Sequence, residues 1–174
     1  MDFHLDHALE VLQRTPATLN TLLRGLSEQW THSNEGGDTW SPYDVIGHLI
    51  HGEETDWIPR LRIILAHGES RAFDPFERSA FYEKSKGKSL EELLDTFAVL
   101  RAKNIETLRE LHLQPKDFSL KGTHPAFGQV TLKQLLATWV VHDLGHVRQI
   151  VRAMAKQNKH EAGPWREYLS ILSE

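Results

Sequence analysis

The sequence contains no cysteine among its 174 residues. Disulfide bonds, thiolate metal sites and a cysteine nucleophile are therefore excluded, and any metal bound by this chain must be held by nitrogen and oxygen atoms. A chain without cysteine is typical of a reducing compartment, where disulfides do not persist. We therefore expect a cytoplasmic protein.

The sequence also lacks an excess of positive charge and a long apolar run. Its formal net charge is −4, and its lysines and arginines are dispersed along the chain. Binding to nucleic acid through phosphate contacts needs a basic face, so we expect no nucleic-acid partner. No apolar run reaches the roughly 20 residues that span a bilayer, and the N-terminal residues lack a signal-peptide pattern, so we expect no membrane association.

Apolar residues recur at three- to four-residue spacing in four long segments, which predicts amphipathic helices. Proline interrupts the first two, and we expect Pro16 to kink or split its helix and Pro59 to bend its own. The length and the absence of repeats or linkers predict a single domain over residues 1–174. The predicted helical segments are 3–27, 42–67, 89–111 and 131–157.

The connections between these segments are long. Residues 68–88 are polar and contain proline and glycine, and residues 112–130 predict a loop with a short extended piece. The stretch GPWREYLSIL predicts a short C-terminal helix that docks through Trp165, Tyr168 and Leu169. These features predict an all-α fold, namely a four-helix bundle with long crossover loops and a short C-terminal helix.

Two of the eleven histidines lie in the segment VHDLGHV on the fourth predicted helix. His142 and His146 are four residues apart, so both imidazoles lie on one flank of the apolar stripe of this helix. This spacing is the one by which a helix presents two imidazoles to a metal ion. The alternative is a pair of flank histidines that hydrogen-bond to backbone or solvent.

Asp143 lies between the two histidines and falls in the middle of the apolar stripe. A buried carboxylate is costly without a partner, so Asp143 needs a hydrogen-bond donor or a cation, such as Arg148 or an arginine on another helix. The segment HDLGH also has the spacing of the H-E-x-x-H motif of metalloproteases. Because aspartate is one methylene shorter than glutamate and Asp143 points into the bundle, we do not favour a protease.

A catalytic zinc-type site usually takes three protein ligands and leaves one position for water. His48 and His51, in the segment GHLIHGEE of the second predicted helix, are the candidates for the third ligand, and the helical pattern does not choose between them. Glu53 points toward the apolar stripe of the same helix. It is a candidate for a general base, for a group that supports a ligand, or for one half of an interhelical salt bridge.

Two stretches of the chain, WSPYDVIGHLIHGE and HPAFGQVTLKQLLATWVVHDLGHVRQI, resemble the DinB-like superfamily. This group includes the YfiT-like metal-dependent hydrolases and the bacterial thiol-dependent S-transferases, and the resemblance covers about residues 5–170. It implies a four-helix bundle with a metal site formed by His48, His142 and His146. The side chains that we expect around these ligands are His51, Glu53, Trp57, Trp139 and Asp143.

The resemblance also implies an activity. We expect a divalent metal ion, with zinc and nickel ranked first, that activates water or a low-molecular-weight thiol, as in a hydrolase or a thiol S-transferase. The substrate would be a small molecule, and the fold is compatible with a homodimer. The alternative is a non-catalytic metal-binding bundle with a stress-linked binding or storage role, in which His51 or Glu53 closes the site as a fourth ligand.

Overall fold

A computed structural model describes residues 2–173 of the chain. Within this range the structure contains seven α-helices and one pair of short strands. Four of the helices exceed twelve residues and a fifth has eleven, and these five form the body of the molecule. In chain order the elements are α1 (Leu5–Leu23), α2 (Glu28–Thr31), α3 (Pro42–Thr55), α4 (Trp57–His67), α5 (Phe81–Ser85), α6 (Leu90–Glu110), β1 (Lys121–His124), β2 (Gly128–Thr131) and α7 (Leu132–Gln157).

Three of the long helices begin with the same local device, a capping box. The side chains of Ser41, Ser89 and Thr131 each accept a hydrogen bond from the backbone N–H three residues later. The residue at that later position bonds back to the backbone of the cap, so two otherwise unsatisfied donors are paired at each helix start. Each cap contributes about 1 kcal/mol, and the caps fix where α3, α6 and α7 begin.

The long helices form a four-helix bundle, which confirms the predicted all-α fold. In this bundle α3 packs against both α6 and α7, and α1 packs against the same two helices from the opposite side. The helix α4 follows α3 in the chain, packs against it and also contacts α6 and α7. The helices α1 and α3 are therefore diagonal partners, and both flank α6 and α7. No helix in residues 2–173 is long and apolar enough to cross a membrane.

Of the two outcomes expected at Pro16, a kink or a split, the split does not occur. The helix α1 runs without interruption from Leu5 to Leu23. A proline lacks the N–H that would bond to the carbonyl four residues earlier, which here belongs to Leu12. The guanidinium of Arg101 on α6 supplies the missing donor, with its Nη1 atom 2.9 Å from the Leu12 carbonyl oxygen. A side chain from a neighbouring helix thus satisfies the backbone group that the proline leaves free.

The second predicted segment is divided into two helices, and the break lies at Asp56 rather than at Pro59. Asp56 ends α3 and precedes α4. Pro59 then falls in the first turn of α4, where backbone N–H groups have no helical acceptor and a proline costs little. Arg60, one turn into α4, forms an ion pair with Asp56 at 2.7 Å.

The extended piece predicted within residues 112–130 is a small antiparallel hairpin. Its strands β1 and β2 pair from Lys121 opposite Thr131 to His124 opposite Gly128. The long loop after α4 attaches to it, because the backbone N–H of Phe73 donates to the carbonyl of Thr123 at 2.9 Å. The hairpin therefore anchors part of the connection 68–88.

The C-terminal tail differs from the predicted helix. It forms two 3₁₀ turns, Gly163–Tyr168 and Ser170–Leu172, and no α-helix. Trp165 and Tyr168 are 73% and 87% exposed, and Leu169 is also exposed, so the predicted docking residues are wrong. Leu172 is buried instead and is the apolar anchor of the tail. In a 3₁₀ turn side chains repeat every three residues, so a spacing that suits an α-helix no longer selects the buried face.

Two apolar clusters fill the bundle, and a layer of buried polar side chains separates them. From α7, one cluster contains Leu132, Leu135, Leu136 and Trp139, and the other contains Ile150. Between them, Arg101 and Asn104 of α6 face Glu53 of α3 and Asp143 of α7. The side chains of Arg101, Glu53 and Asp143 are at most 1% exposed.

Arg101 is the centre of this layer. Its Nη1 atom donates to Asp143 Oδ2 at 2.6 Å, and its Nη2 atom donates to Asp143 Oδ1 at 2.9 Å and to Glu53 Oε1 at 2.8 Å. Burial works to lower the pKa of Arg101, but the hydrogen bonds and charges of the two carboxylates outweigh it and raise that pKa above its ordinary value. Together with the bond to Leu12, these contacts connect α6 to α1, α3 and α7.

Replacement of Asp143 by asparagine should therefore destabilise the bundle. The variant keeps the shape of the side chain but leaves a buried arginine with one carboxylate in place of two. We expect the free energy of unfolding in urea to fall by about 3 kcal/mol, because a broken buried ion pair leaves an uncompensated charge. The metal content of the purified protein should change little.

Asp95→Asn is the matched control, because Asp95 pairs with Arg24 at the exposed surface. This change should cost less than about 1 kcal/mol. If Asp143→Asn lost its metal but unfolded at the wild-type urea concentration, Asp143 would be a metal ligand and the core assignment would be wrong.

Candidate metal centre

The helices α3 and α7 bring three imidazoles from distant parts of the chain together. His48 lies in the second turn of α3, and His142 and His146 lie one turn apart on α7. The Nε2 atom of His142 is 3.2 Å from that of His48 and 3.1 Å from that of His146. Within residues 2–173, these three form a group of side chains whose ligand atoms all lie within 4.8 Å of one another.

The three imidazoles are neutral near pH 7. Burial, helped by the neighbouring histidine charges, lowers the pKa of His48 and of His142 from 6.5 to about 3. Burial also lowers the pKa of His146. A neutral imidazole has a free lone pair, which is the form that binds metal ions.

The orientation of His146 is fixed by a hydrogen bond on its outer nitrogen. The Nδ1 atom lies 2.9 Å from Oε1 of Gln149, three residues later on α7. Because an amide oxygen accepts, Nδ1 carries the proton and Nε2 presents its lone pair to the other two rings. A bond of this kind, from the outer nitrogen of a ligating histidine to a neighbouring oxygen, is common in metal sites.

The donor set fits a divalent metal ion. Three neutral nitrogen donors converge from two helices, and no carboxylate or thiol shares the group. The Nδ1 atoms of His48 and His142 are buried and have no hydrogen-bond partner among the described residues. All-imidazole ligation suits zinc, nickel, copper and iron.

Aromatic rings enclose the three histidines. Trp40 lies against His48 at 4.6 Å between ring centroids and stacks on His146 at 6.2 Å. Phe76, from the loop after α4, meets the edge of His48 at 5.5 Å. Trp57 meets His142 at 5.1 Å. Trp57 was expected here, whereas Trp40 and Phe76 were not. Both lie on connecting segments, where no periodicity indicates which side chain points inward.

Trp139, the second ring that we expected beside the metal, lies one layer further in. It stacks on Trp57 at 5.5 Å, and its Nε1–H donates to Glu53 Oε1 at 3.2 Å. Trp139 therefore supports Trp57, the ring that contacts His142.

Glu53 and Asp143 belong to the buried polar layer. The Oε1 atom of Glu53 accepts from Arg101 and Trp139, and its Oε2 atom accepts from Asn104 at 3.0 Å. Burial raises the pKa of Glu53, while the charge of Arg101 opposes this effect. These contacts favour the interhelical salt bridge over a general base for Glu53. Asp143 bonds to Arg101, and not to Arg148 or to an imidazole.

His51 lies next to the site without joining it. It is 4% exposed, and its ring lies 4.8 Å from that of Phe76. Its Nδ1 atom is 3.5 Å from the ammonium group of Lys84, which also pairs with Glu54. The geometry thus separates the two candidates that the helical pattern could not distinguish, because His48 faces α7 and His51 faces the loop before α5.

Comparison with known proteins places the chain in a family. The model of the DinB superfamily matches residues 11–150, so the chain belongs to the DinB superfamily. Among solved structures, it is similar to YfiT from Bacillus subtilis, described as a probable metal-dependent hydrolase with an unusual four-helix bundle topology. The TM-score is 0.76 and the identity 22%, over 88% of this chain and 87% of the other. A comparison with curated proteins found no match.

Replacement of His142 by alanine should remove most of the bound metal, because the Nε2 atom of His142 lies between those of His48 and His146. Elemental analysis of protein purified in the presence of zinc or nickel measures this directly. His7→Ala, on the exposed surface of α1, is the control and should keep its metal. Full metal occupancy in His142→Ala would overturn the ligand assignment.

Proposed function

We propose that this protein is a metal-dependent enzyme that activates water or a low-molecular-weight thiol, and thus acts as a hydrolase or a thiol S-transferase. The observation that carries this proposal is the convergence of three Nε2 atoms, all within 4.8 Å of one another. Membership of the DinB superfamily and the description of YfiT as a probable metal-dependent hydrolase support it.

The roles of the residues follow from their positions. His48, His142 and His146 would hold a divalent metal, for which we rank zinc and nickel first. A metal bound by neutral ligands lowers the pKa of a water or thiol at its open position toward neutrality and so supplies a nucleophile. Gln149 holds the His146 ring in place, and Trp40 limits the access of bulk water.

The thiol branch of this proposal requires a thiol from outside the chain. No cysteine is present, so no side chain of the protein can supply one. A cavity of about 200 Å³ adjoins His142 and is lined largely by apolar groups, including Trp57, Phe73 and Phe127. We infer that the apolar part of an electrophilic or ester substrate binds there.

A storage or structural role would need a closed site, and neither of the two side chains proposed to close it belongs to the group of ligand atoms within 4.8 Å of one another. Glu53 is bonded to Arg101, Asn104 and Trp139, and His51 contacts Phe76 and Lys84. Three ligands from the protein leave a coordination position for an exchangeable molecule, which is the arrangement of catalytic sites. We therefore favour the enzyme over the non-catalytic bundle.

Two assays of the zinc- or nickel-loaded protein test this proposal. One follows hydrolysis of an activated aryl ester, and the other follows transfer of a low-molecular-weight thiol to a chlorodinitroarene. We expect a rate above that of buffer in one assay. It should fall about tenfold or more after chelation and in His142→Ala, because the nucleophile is then no longer activated.

His7→Ala is again the control and should keep the wild-type rate. Restoration of the rate when metal is added back after chelation would show that chelation removed the ion and left the fold intact. If the protein bound metal stoichiometrically but accelerated neither reaction, or if chelation left the rate unchanged, the enzymatic proposal would fail.

A further inference from the structure

A second cavity, larger than the one beside His142, is lined in part by Trp40. It measures about 630 Å³ and opens between the segment before α3, the segment before α5 and the second half of α7. None of the three histidines lines this cavity. The residues that matter for its chemistry are Glu35, Trp40, Arg78, Arg148, Gln149 and Arg152.

This cavity adjoins the histidine site through two side chains that line it. Trp40 lines the cavity, and its ring also packs against the imidazoles of His48 and His146. Gln149 lines the cavity and bonds to Nδ1 of His146. The cavity and the histidine site therefore share these two side chains.

The cavity has a local excess of positive charge, although the whole chain carries −4. Three arginines and two carboxylates line it. Glu35 is already engaged, because its Oε2 atom is 2.8 Å from Nε of Arg152 and 4.0 Å from Nζ of Lys156. Asp38 is the other carboxylate, and it lies on the exposed loop before α3.

Arg78 and Arg148 are the two lining arginines that Glu35 does not pair with, and together with Asp38 they leave the cavity one net positive charge. Within residues 2–173, neither guanidinium forms an ion pair. Arg78 lies over the ring of Trp40, with its Cζ atom 4.8 Å from the ring centroid, which holds it at the wall of the cavity. Arg148 reaches the cavity from α7, one turn after Leu144 and next to Gln149.

We propose that this cavity binds a carboxylate group of a small anionic substrate and that Arg78 and Arg148 recognise it. The planar guanidinium group matches the two oxygens of a carboxylate, and charge-assisted bonds of this kind are strong and directional. The inference rests on the proposed function, because it names the substrate class for the same histidine site. On the thiol branch, the substrate is a low-molecular-weight thiol that carries at least one carboxylate.

Glutathione and its diethyl ester are the probes for this proposal, because they share a thiol and differ in carboxylate charge. Calorimetric titration of the metal-loaded protein should give tighter binding for glutathione than for the diester. Arg148→Met and Arg78→Met should each weaken glutathione binding about tenfold or more and leave binding of the diester unchanged. Arg148→Lys, which keeps the charge but loses the planar fork, should fall between the wild type and Arg148→Met.

Arg62→Met is the matched control, since Arg62 is an exposed arginine on α4 that does not line the cavity. Thermal unfolding and metal content, measured for each variant, distinguish an effect on the cavity from an effect on the fold or on the histidine site. Equal binding of glutathione and its diester, no saturable binding of either, or an unchanged affinity in both arginine variants would overturn the anion site. Arginine-dependent binding by a protein that retains no metal would sustain the anion site and reject the proposed function.

Discussion

The buried guanidinium of Arg101 is the interaction on which the rest of this structure depends. It bonds to a backbone carbonyl of α1, to Glu53 of α3 and to both carboxylate oxygens of Asp143 on α7. One side chain therefore connects α6 to α1, α3 and α7. Since the histidine site is shared between α3 and α7, a change in their spacing would separate the Nε2 atoms of His48 and His142. Ionic groups in the core are weak evidence for stability, but the bonds of Arg101 to Leu12, Glu53 and Asp143 form together only while α1, α3 and α7 keep these positions.

The same layer explains why a carboxylate can lie between two candidate ligands without joining them. Successive residues of a helix differ by about 100° in direction, so Asp143 points into the bundle while His142 and His146 point to its flank. Within the core, Arg101 forms an ion pair with Asp143 and neutralises its charge. The histidine site is left with neutral donors only, and a metal there would keep its full charge to act on a bound molecule.

Local signals in the sequence predicted most of the fold and part of the site. The apolar spacing placed the starts of α3, α6 and α7 at residues 42, 89 and 131, each within one residue of the observed start. The spacing of His142 and His146 follows from helix geometry alone. The choice between His48 and His51 could not be made locally, because it depends on which face of α3 meets α7. The continuity of α1 through Pro16 depends on a donor from α6, and the burial of Leu172 in place of Trp165 depends on how the tail meets α7. Each of these outcomes is set by contacts between residues far apart in sequence.

The helices and the connecting segments contribute different side chains to the site, and this difference bears on how the site acquires specificity. The candidate ligands lie on helices that the Arg101 layer holds rigidly, whereas Trp40, Phe76 and Arg78 come from segments between helices. Loops tolerate substitution better than the packed elements that position them. Changes at these three positions would therefore alter which molecule reaches the site and would leave the geometry of the imidazoles intact. The helices would set the chemistry of this protein, and its connecting segments would select the molecule on which that chemistry acts.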